Sequence, residues 1–254
     1  MASSTQKTFL VTGVSSGFGK AFATAALQAG NRVIGTVRND AAKQDFEKLG
    51  SNATAILLDV TDFEKIEPAI TAVQQTVGPI DVLINNAGYG HEGILEESPL
   101  DEMIAQFNVN VFGAVAMIKA VLPTMRQRKS GHIINITSMG GFITMPGISY
   151  YCGSKFALEG ISETLASEVA HLGIHVTAIA PGSFRTDWAG RSMVRTDRSI
   201  DDYNTLFDPI REARTAKSGQ QAGDPAKAAQ VMLDLVNHDT PPTHLLLGAD
   251  AMSL

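Results

Sequence analysis

The sequence predicts a single α/β domain built on a doubly wound, seven-stranded parallel sheet with helices on both faces. Three observations predict it. Short β-branched runs alternate with longer helical stretches from the first residues onward, which is the pattern of parallel strands joined by crossover helices. Several runs are almost continuously apolar, such as Ala55-Ile56-Leu57-Leu58 and His132-Ile133-Ile134-Asn135-Ile136, as strands covered on both faces require. A glycine-rich turn separates the first of these runs from the first helix.

Taken in order, the strands fall at 8 to 11, 32 to 37, 53 to 58, 81 to 85, 132 to 136, 174 to 180 and 244 to 247. The helices between them carry their own stop signals: Gly30 and Gly173 follow helical stretches where a left-handed residue is wanted, and Gly78-Pro79 closes another. From 183 to about 222 the regular pattern lapses into a polar stretch interrupted by Trp188, Met193 and Phe207. A segment of that length without clear elements is expected to be functional, and it reads as a cover for the substrate.

A chain of 254 residues has room for one large core, and no internal repeat divides it. Its 20 Lys and Arg against 26 Asp and Glu leave a net charge of -6, so no overall positive field is available to hold nucleic acid. The start, MASSTQKTFLV, lacks the build of a secretory signal, and no run of about 18 apolar residues suggests a membrane span. Cys152 is the only cysteine, so nothing points to an oxidising compartment, and a cytoplasmic protein is expected. The six histidines, at 91, 132, 171, 175, 238 and 244, show no metal-ligand spacing, and no metal is expected.

After the first strand comes Thr12-Gly13-Val14-Ser15-Ser16-Gly17-Phe18-Gly19, followed by an alanine-rich helix. Gly13 permits the tight turn, Gly17 lets the backbone approach a pyrophosphate, and Gly19 lets the helix pack closely. The helix N-terminus then offers free N–H groups to phosphates, with Ser15 and Ser16 as further donors. The spacing differs from the common Gly-x-Gly-x-x-Gly fingerprint, and a tight turn without ligand is the alternative. Thr36-Val37-Arg38 ends the second strand with no carboxylate for a ribose 2′-hydroxyl. Arg38 instead suits a 2′-phosphate, so NADP(H) is favoured over NAD(H).

Tyr151 and Lys155 are four apart at the start of a helix whose buried side is marked by Phe156, Ile161, Leu165 and Val169, which puts both functional side chains on one face. A carbonyl accepting hydride at carbon must receive a proton at oxygen, and a phenol of ordinary pKa about 10 is a reluctant participant. The Lys155 ammonium, together with an oxidised nicotinamide, is expected to lower the phenol. Ser138, just past the fifth strand, suits a hydrogen bond to the carbonyl oxygen, although a serine there also suits a helix cap. Tyr150 competes with Tyr151 on composition, but only Tyr151 has a lysine four residues on. His91-Glu92 reads as a solvated loop pair or, less favoured, as a border of the pocket. Cys152 reads as a packing residue. Phe142, Met145, Trp188 and Met193 suggest a hydrophobic substrate pocket.

With TGVSSGFG, Asp59-Val60, Asn85-Asn86-Ala87-Gly88, Ser138, Tyr151-x-x-x-Lys155 and Pro181-Gly182 in order over residues 8 to about 187, the chain resembles the short-chain dehydrogenase/reductase family. The stretches NVNVFGAVAMIKAVLP and ITSMGG are similar to its hydroxysteroid dehydrogenase-like, NADP(H)-dependent members. The resemblance implies a Rossmann fold and hydride transfer between NADP(H) and a small-molecule ketone, aldehyde or secondary alcohol. It implies that Asp59 meets the adenine amino group and that Val60, Asn86, Ala87, Gly88, Pro181 and Gly182 lie along the cofactor. Thr186 would contact the carboxamide or phosphates, and Lys155 the ribose hydroxyls. Asn86 has a structural reading of equal weight. Asn110 fits the register of the asparagine in the family's water-mediated proton relay. The family often has aliphatic residues where Phe18 and Phe184 stand, and Phe184 is placed to narrow the nicotinamide pocket. A homo-oligomer, dimer or tetramer, is implied, with the apolar helix from Asn110 to Leu122 suited to its interface. The competing function is a catalytically silent NADP(H)-binding sensor or scaffold, against which stands the presence of Tyr151, Lys155, Ser138 and Asn110 together.

Overall fold

The structure, a computed structural model, describes residues 6–253. Seven parallel strands form the central sheet: β1 (Thr8–Val11), β2 (Arg32–Val37), β3 (Ala53–Leu57), β4 (Val82–Asn85), β6 (Gly131–Ile136), β7 (Ile174–Pro181) and β9 (His244–Leu247). Their order is β3-β2-β1-β4-β6-β7-β9, so the winding reverses between β1 and β4. In a sheet of this kind the crevice at the carboxyl ends of the strands beside the reversal is where a ligand binds.

The register explains why the core has two layers. Leu10 lies opposite Ile34 on one side and Leu83 on the other, while its neighbours Phe9 and Val11 point to the opposite face. Leu10, Ile34 and Leu83 pack against Ile66 and Ile70 of α3 (Phe63–Val77) and against Met117 and Val121 of α5 (Ala114–Arg128). Phe9 and Val11 pack with Phe22 of α1 (Gly17–Gln28) and Met232 of α8 (Pro225–Val236). At about 1.5–3 kcal/mol for each large side chain removed from water, these two layers dominate the gross stabilisation.

β3 departs from the expectation of burial on both faces. It is the edge strand, and Leu57 is half exposed because no neighbour follows it. The helices α4 (Leu100–Phe107) and α5 run on through a π-helical turn at Asn108–Gly113. Together Leu100–Arg128 are long and apolar enough, by length and composition alone, to cross a membrane, although the stretch contains no unbroken apolar run of about 18 residues. Met117, Val121 and Met125 are fully buried in the domain core, so this stretch is a covering helix of the sheet.

The segment after β7 is more regular than its sequence suggests. It contains β8 (Met193–Arg195), a 3-10 turn at Asp187–Ala189, another at Asp201–Tyr203, and α7 (Asn204–Ala216). β8 pairs in parallel with β5 (Gly90–Glu92), a strand the sequence reading also passed over, to make a separate two-stranded sheet. Strands of three residues are too short to show a period, and α7 is polar on most of its surface, with Pro209 inside it.

Candidate active site

The glycine turn is held by atoms that leave no space for a side chain. Gly13 and Gly17 take positive φ, +72° and +55°. A Cβ on Gly19 would lie 2.2 Å from the Gly13 carbonyl oxygen and 2.4 Å from Asn86 Nδ2, so Gly19 is what brings α1 down onto the turn. Asn86 donates from Nδ2 to the carbonyls of Thr12 and Gly13, at 2.9 and 3.1 Å. Thr12 Oγ1 accepts from the backbone N–H groups of Asn86 and Ala87, both at 2.9 Å. The amide of Asn86 therefore has a structural task. Ser16 precedes α1 without capping it through its side chain, which leaves the first N–H groups of the helix facing the cleft.

That cleft has a volume of about 1120 Å³ and runs along the carboxyl ends of the strands. Gly13, Ser15, Ser16, Gly17, Phe18, Arg38, Asp59, Val60, Asn86, Ala87 and Gly88 line one end. Ser138, Met145, Tyr151, Lys155, Pro181, Gly182, Phe184, Thr186 and Trp188 line the rest. Phe184 meets Phe18 edge-on at 5.0 Å, and Phe18 stacks on Phe22, so the two phenylalanines form one wall. Thr186 faces the turn, with its Cβ 3.7 Å from where a Gly17 Cβ would lie. Burial of Asp59 works against its charge, but bonds from the Thr61 backbone N–H (2.9 Å) and hydroxyl (2.7 Å), with the Arg38 charge, hold the carboxyl below its ordinary pKa. A groove offering free amides at one end, a carboxylate and a guanidinium beside them, and an extended apolar wall fits a dinucleotide.

At the other end α6 (Ser149–Val169) presents Tyr151 and Lys155 on its inner face. That face continues through Leu158, Ser162, Leu165 and Val169; Phe156 is 43% exposed, because one residue past Lys155 turns about 100° away from it. Lys155 Nζ donates to the Ile136 carbonyl at 2.8 Å and sits 5.7 Å from the Tyr151 ring centre. Burial pulls the Lys155 ammonium down to about 8, against the pull of the Glu159 carboxylate. Burial likewise pushes the Tyr151 phenol up to about 12, opposed by Ser138 and Trp188. Without the nicotinamide charge, burial is the largest influence on the phenol and leaves it above its ordinary value, where the sequence predicts a lowered one.

Ser138 Oγ accepts from the Gly140 N–H at 3.0 Å and caps a short 3-10 turn; the cap uses a lone pair and leaves the hydroxyl proton free to be donated. Tyr150 is turned away, donating to the Ser98 carbonyl at 2.8 Å. Asn110 lies outside the cleft wall. Its Nδ2 donates to the Tyr89 carbonyl and to Ser154 Oγ, each at 3.1 Å, and its Oδ1 accepts from the Tyr89 N–H. Cys152 is buried beside Tyr151 with its thiol pushed up by burial, as a packing residue would be. Phe142 turns outward onto His244, and Met193 is buried beneath Gly90, so neither lines the pocket.

The family model for short chain dehydrogenases matches residues 7–196. This chain is a short-chain dehydrogenase. Oxidoreductase BOA17 of Botryotinia fuckeliana is 40% identical over 97% of this chain and 90% of its own. The crystal structure of a short-chain dehydrogenase from Streptomyces avermitilis superposes with a TM-score of 0.91 at 41% identity, covering 99% of this chain and 91% of that one. ElxO, solved with NADP bound, superposes with a TM-score of 0.81 at 27% identity, covering 98% of this chain and all of that one. The chain is accordingly a Rossmann-fold oxidoreductase that acts on CH–OH groups and uses a nicotinamide cofactor.

Two groups of this short-chain dehydrogenase escaped the sequence reading. His91 and Glu92 are fully buried in β5, not solvated. Glu92 takes Arg195 Nε at 2.7 Å, Arg211 Nε at 3.6 Å and Arg214 Nη1, while His91 Nε2 meets Glu102 at 2.6 Å. The arginines of Glu92 come from 103 to 122 residues further along the chain, where no local pattern links them, while Glu102 lies 11 residues after His91. Behind Lys155, Glu159 pairs with His244 Nδ1 at 2.9 Å. Only its place four residues after Lys155 hinted at that position.

Proposed function

We propose that this enzyme interconverts a carbonyl and a secondary alcohol using NADP(H), with Tyr151 as proton donor and acceptor. The observation that carries the reading is the convergence of Ser138, Tyr151 and Lys155 in the same cleft as the glycine turn. When bound, the nicotinamide supplies or accepts the hydride at the substrate carbon. Ser138 donates a hydrogen bond to the substrate oxygen, where charge develops. Tyr151 delivers a proton to that oxygen in the reductive direction, and a phenol with a pKa of about 12 is fully protonated for the task at neutral pH. Lys155 holds the nicotinamide ribose hydroxyls. The apolar neighbours Met145, Ile148 and Trp188 favour a hydrophobic substrate, covered by the 183–222 segment.

The preference for NADP(H) is supported by Arg38, exposed at the cleft rim beyond β2 without an ion pair among the described residues, and by the NADP found in ElxO. Ile104 and Phe112, both more than half exposed on the α4–α5 stretch, support a homo-oligomer. The mechanism is tested with Tyr151→Phe against a carbonyl panel. Turnover falls at least about a thousandfold while NADPH fluorescence titration gives the wild-type affinity. A variant that keeps most of its activity disproves the role of Tyr151, and a wild-type protein that binds NADPH but consumes it with no carbonyl supports the sensor reading.

A further inference from the structure

Trp188 is the only tryptophan in the chain and sits in the 3-10 turn Asp187–Ala189, packed with Met145, Ile148, Tyr151 and Cys152. Its indole ring lies 5.0 Å from the Tyr151 ring, tilted by 56°. Its Nε1 is shielded from solvent and close enough to the Tyr151 oxygen to act on it, yet it makes no hydrogen bond of ordinary length among the described residues. An indole N–H is a donor only, and a buried donor without an acceptor is rare in a folded protein and costly to keep. Such a group in the wall of a catalytic cleft calls for an acceptor that is present during the reaction.

The other polar groups of the site narrow the choice of acceptor. In the reductive direction hydride passes from NADPH to the carbonyl carbon, and the proton passes from Tyr151 Oη to the carbonyl oxygen. The products are an alcohol, NADP+ and a phenolate, which is reprotonated from solvent. That phenolate forms in a buried position at the cleft wall. Lys155 Nζ gives one of its three N–H groups to the Ile136 carbonyl and keeps the others for the ribose hydroxyls, and the Ser138 hydroxyl, which also acts on Tyr151, serves the substrate oxygen during the reaction. The Trp188 N–H, beside the Tyr151 ring, is the donor with no other task.

We propose that the Trp188 indole N–H is a third hydrogen-bond donor of the catalytic site, serving the Tyr151 oxygen when it carries negative charge. The proposal rests on Tyr151 being the acid–base group. It agrees with the direction in which Trp188 acts on Tyr151, opposing the upward push of burial. It also gives the covering segment a chemical part besides a steric one: the Asp187–Ala189 turn carries a donor to the site.

The test is the pH dependence of alcohol oxidation, in which Tyr151 must be a phenolate, so that the acidic limb of kcat/KM marks its ionisation. Trp188→Phe keeps most of the ring and removes the donor. We expect the limb to move up by about one pH unit and neutral-pH kcat to fall about tenfold, with NADPH affinity unchanged. Because Trp188 is the sole tryptophan, growth on 5-fluorotryptophan alters this position alone. Its N–H is a stronger donor in nearly the same shape, and the limb should then move down; this enzyme also covers the case in which Trp188→Phe does not fold. A limb unmoved by either change, or a rise in KM alone, overturns the proposal. If Tyr151→Phe is inactive while the limb ignores position 188, only this proposal falls. If Tyr151→Phe is active, the reading beneath it falls first.

Discussion

The glycine turn and the 187–217 segment face each other across one cleft and are held by opposite means. The turn is held by neutral hydrogen bonds to backbone carbonyls and by missing Cβ atoms, down to the 2.2 Å separating a Gly19 Cβ from the Gly13 oxygen. The segment is held by charge: Arg195, Arg211 and Arg214 share the single buried carboxylate of Glu92, and Arg198 pairs with Glu97 and Asp208. Backbone contacts leave little freedom to exchange residues, so the cofactor end tolerates few sequences. Ion pairs between side chains leave the sheet untouched when they are exchanged, so the substrate end can change without disturbing the cofactor end.

Three substitutions break or sharpen this contrast. Glu92→Gln leaves three guanidiniums around a neutral amide. Removing one side of a buried pair costs about 3–5 kcal/mol, and the 14–27% exposure of the arginines places the expected loss near about 3 kcal/mol in urea unfolding. The KM for the carbonyl should rise while the NADPH dissociation constant stays within twofold; equal changes in both would mean that the two ends are not separable. Gly19→Ala forces a methyl into the turn, and an overpacking cost of about 2 kcal/mol is expected, with NADPH titration showing weak or no binding. A wild-type NADPH affinity in that variant would show that the turn relaxes without consequence. Arg38→Leu removes the guanidinium proposed to meet the 2′-phosphate from an exposed site. NADPH affinity should fall about tenfold, roughly 1.4 kcal/mol, with NADH affinity unchanged. An equal loss for both cofactors would place Arg38 outside the 2′-phosphate site.

The same contrast explains what could be read in advance. All seven strands of the main sheet lie within a residue or two of their expected positions, because each is a short β-branched or leucine-rich run bounded by its own turn chemistry. Leu57 and Phe156 went astray because exposure depends on what lies next to a residue in space: an edge in one case, the outer side of α6 in the other. His91-Glu92 was misread for the same reason. A charged pair after a turn looks solvated until three arginines from a distant segment arrive to bury it.

By itself the sequence determined the strand and helix pattern, the glycine turn and the Tyr151–Lys155 pair, since each depends on residues within one turn or one strand of each other. Tertiary structure alone decided the two-stranded sheet of β5 and β8, the burial of Glu92, the Glu159–His244 pair and the approach of Trp188 to Tyr151. It also decided the surroundings of the ionisable groups, because desolvation belongs to the packing around a group: burial pushes the Tyr151 phenol up and pulls the Lys155 ammonium down.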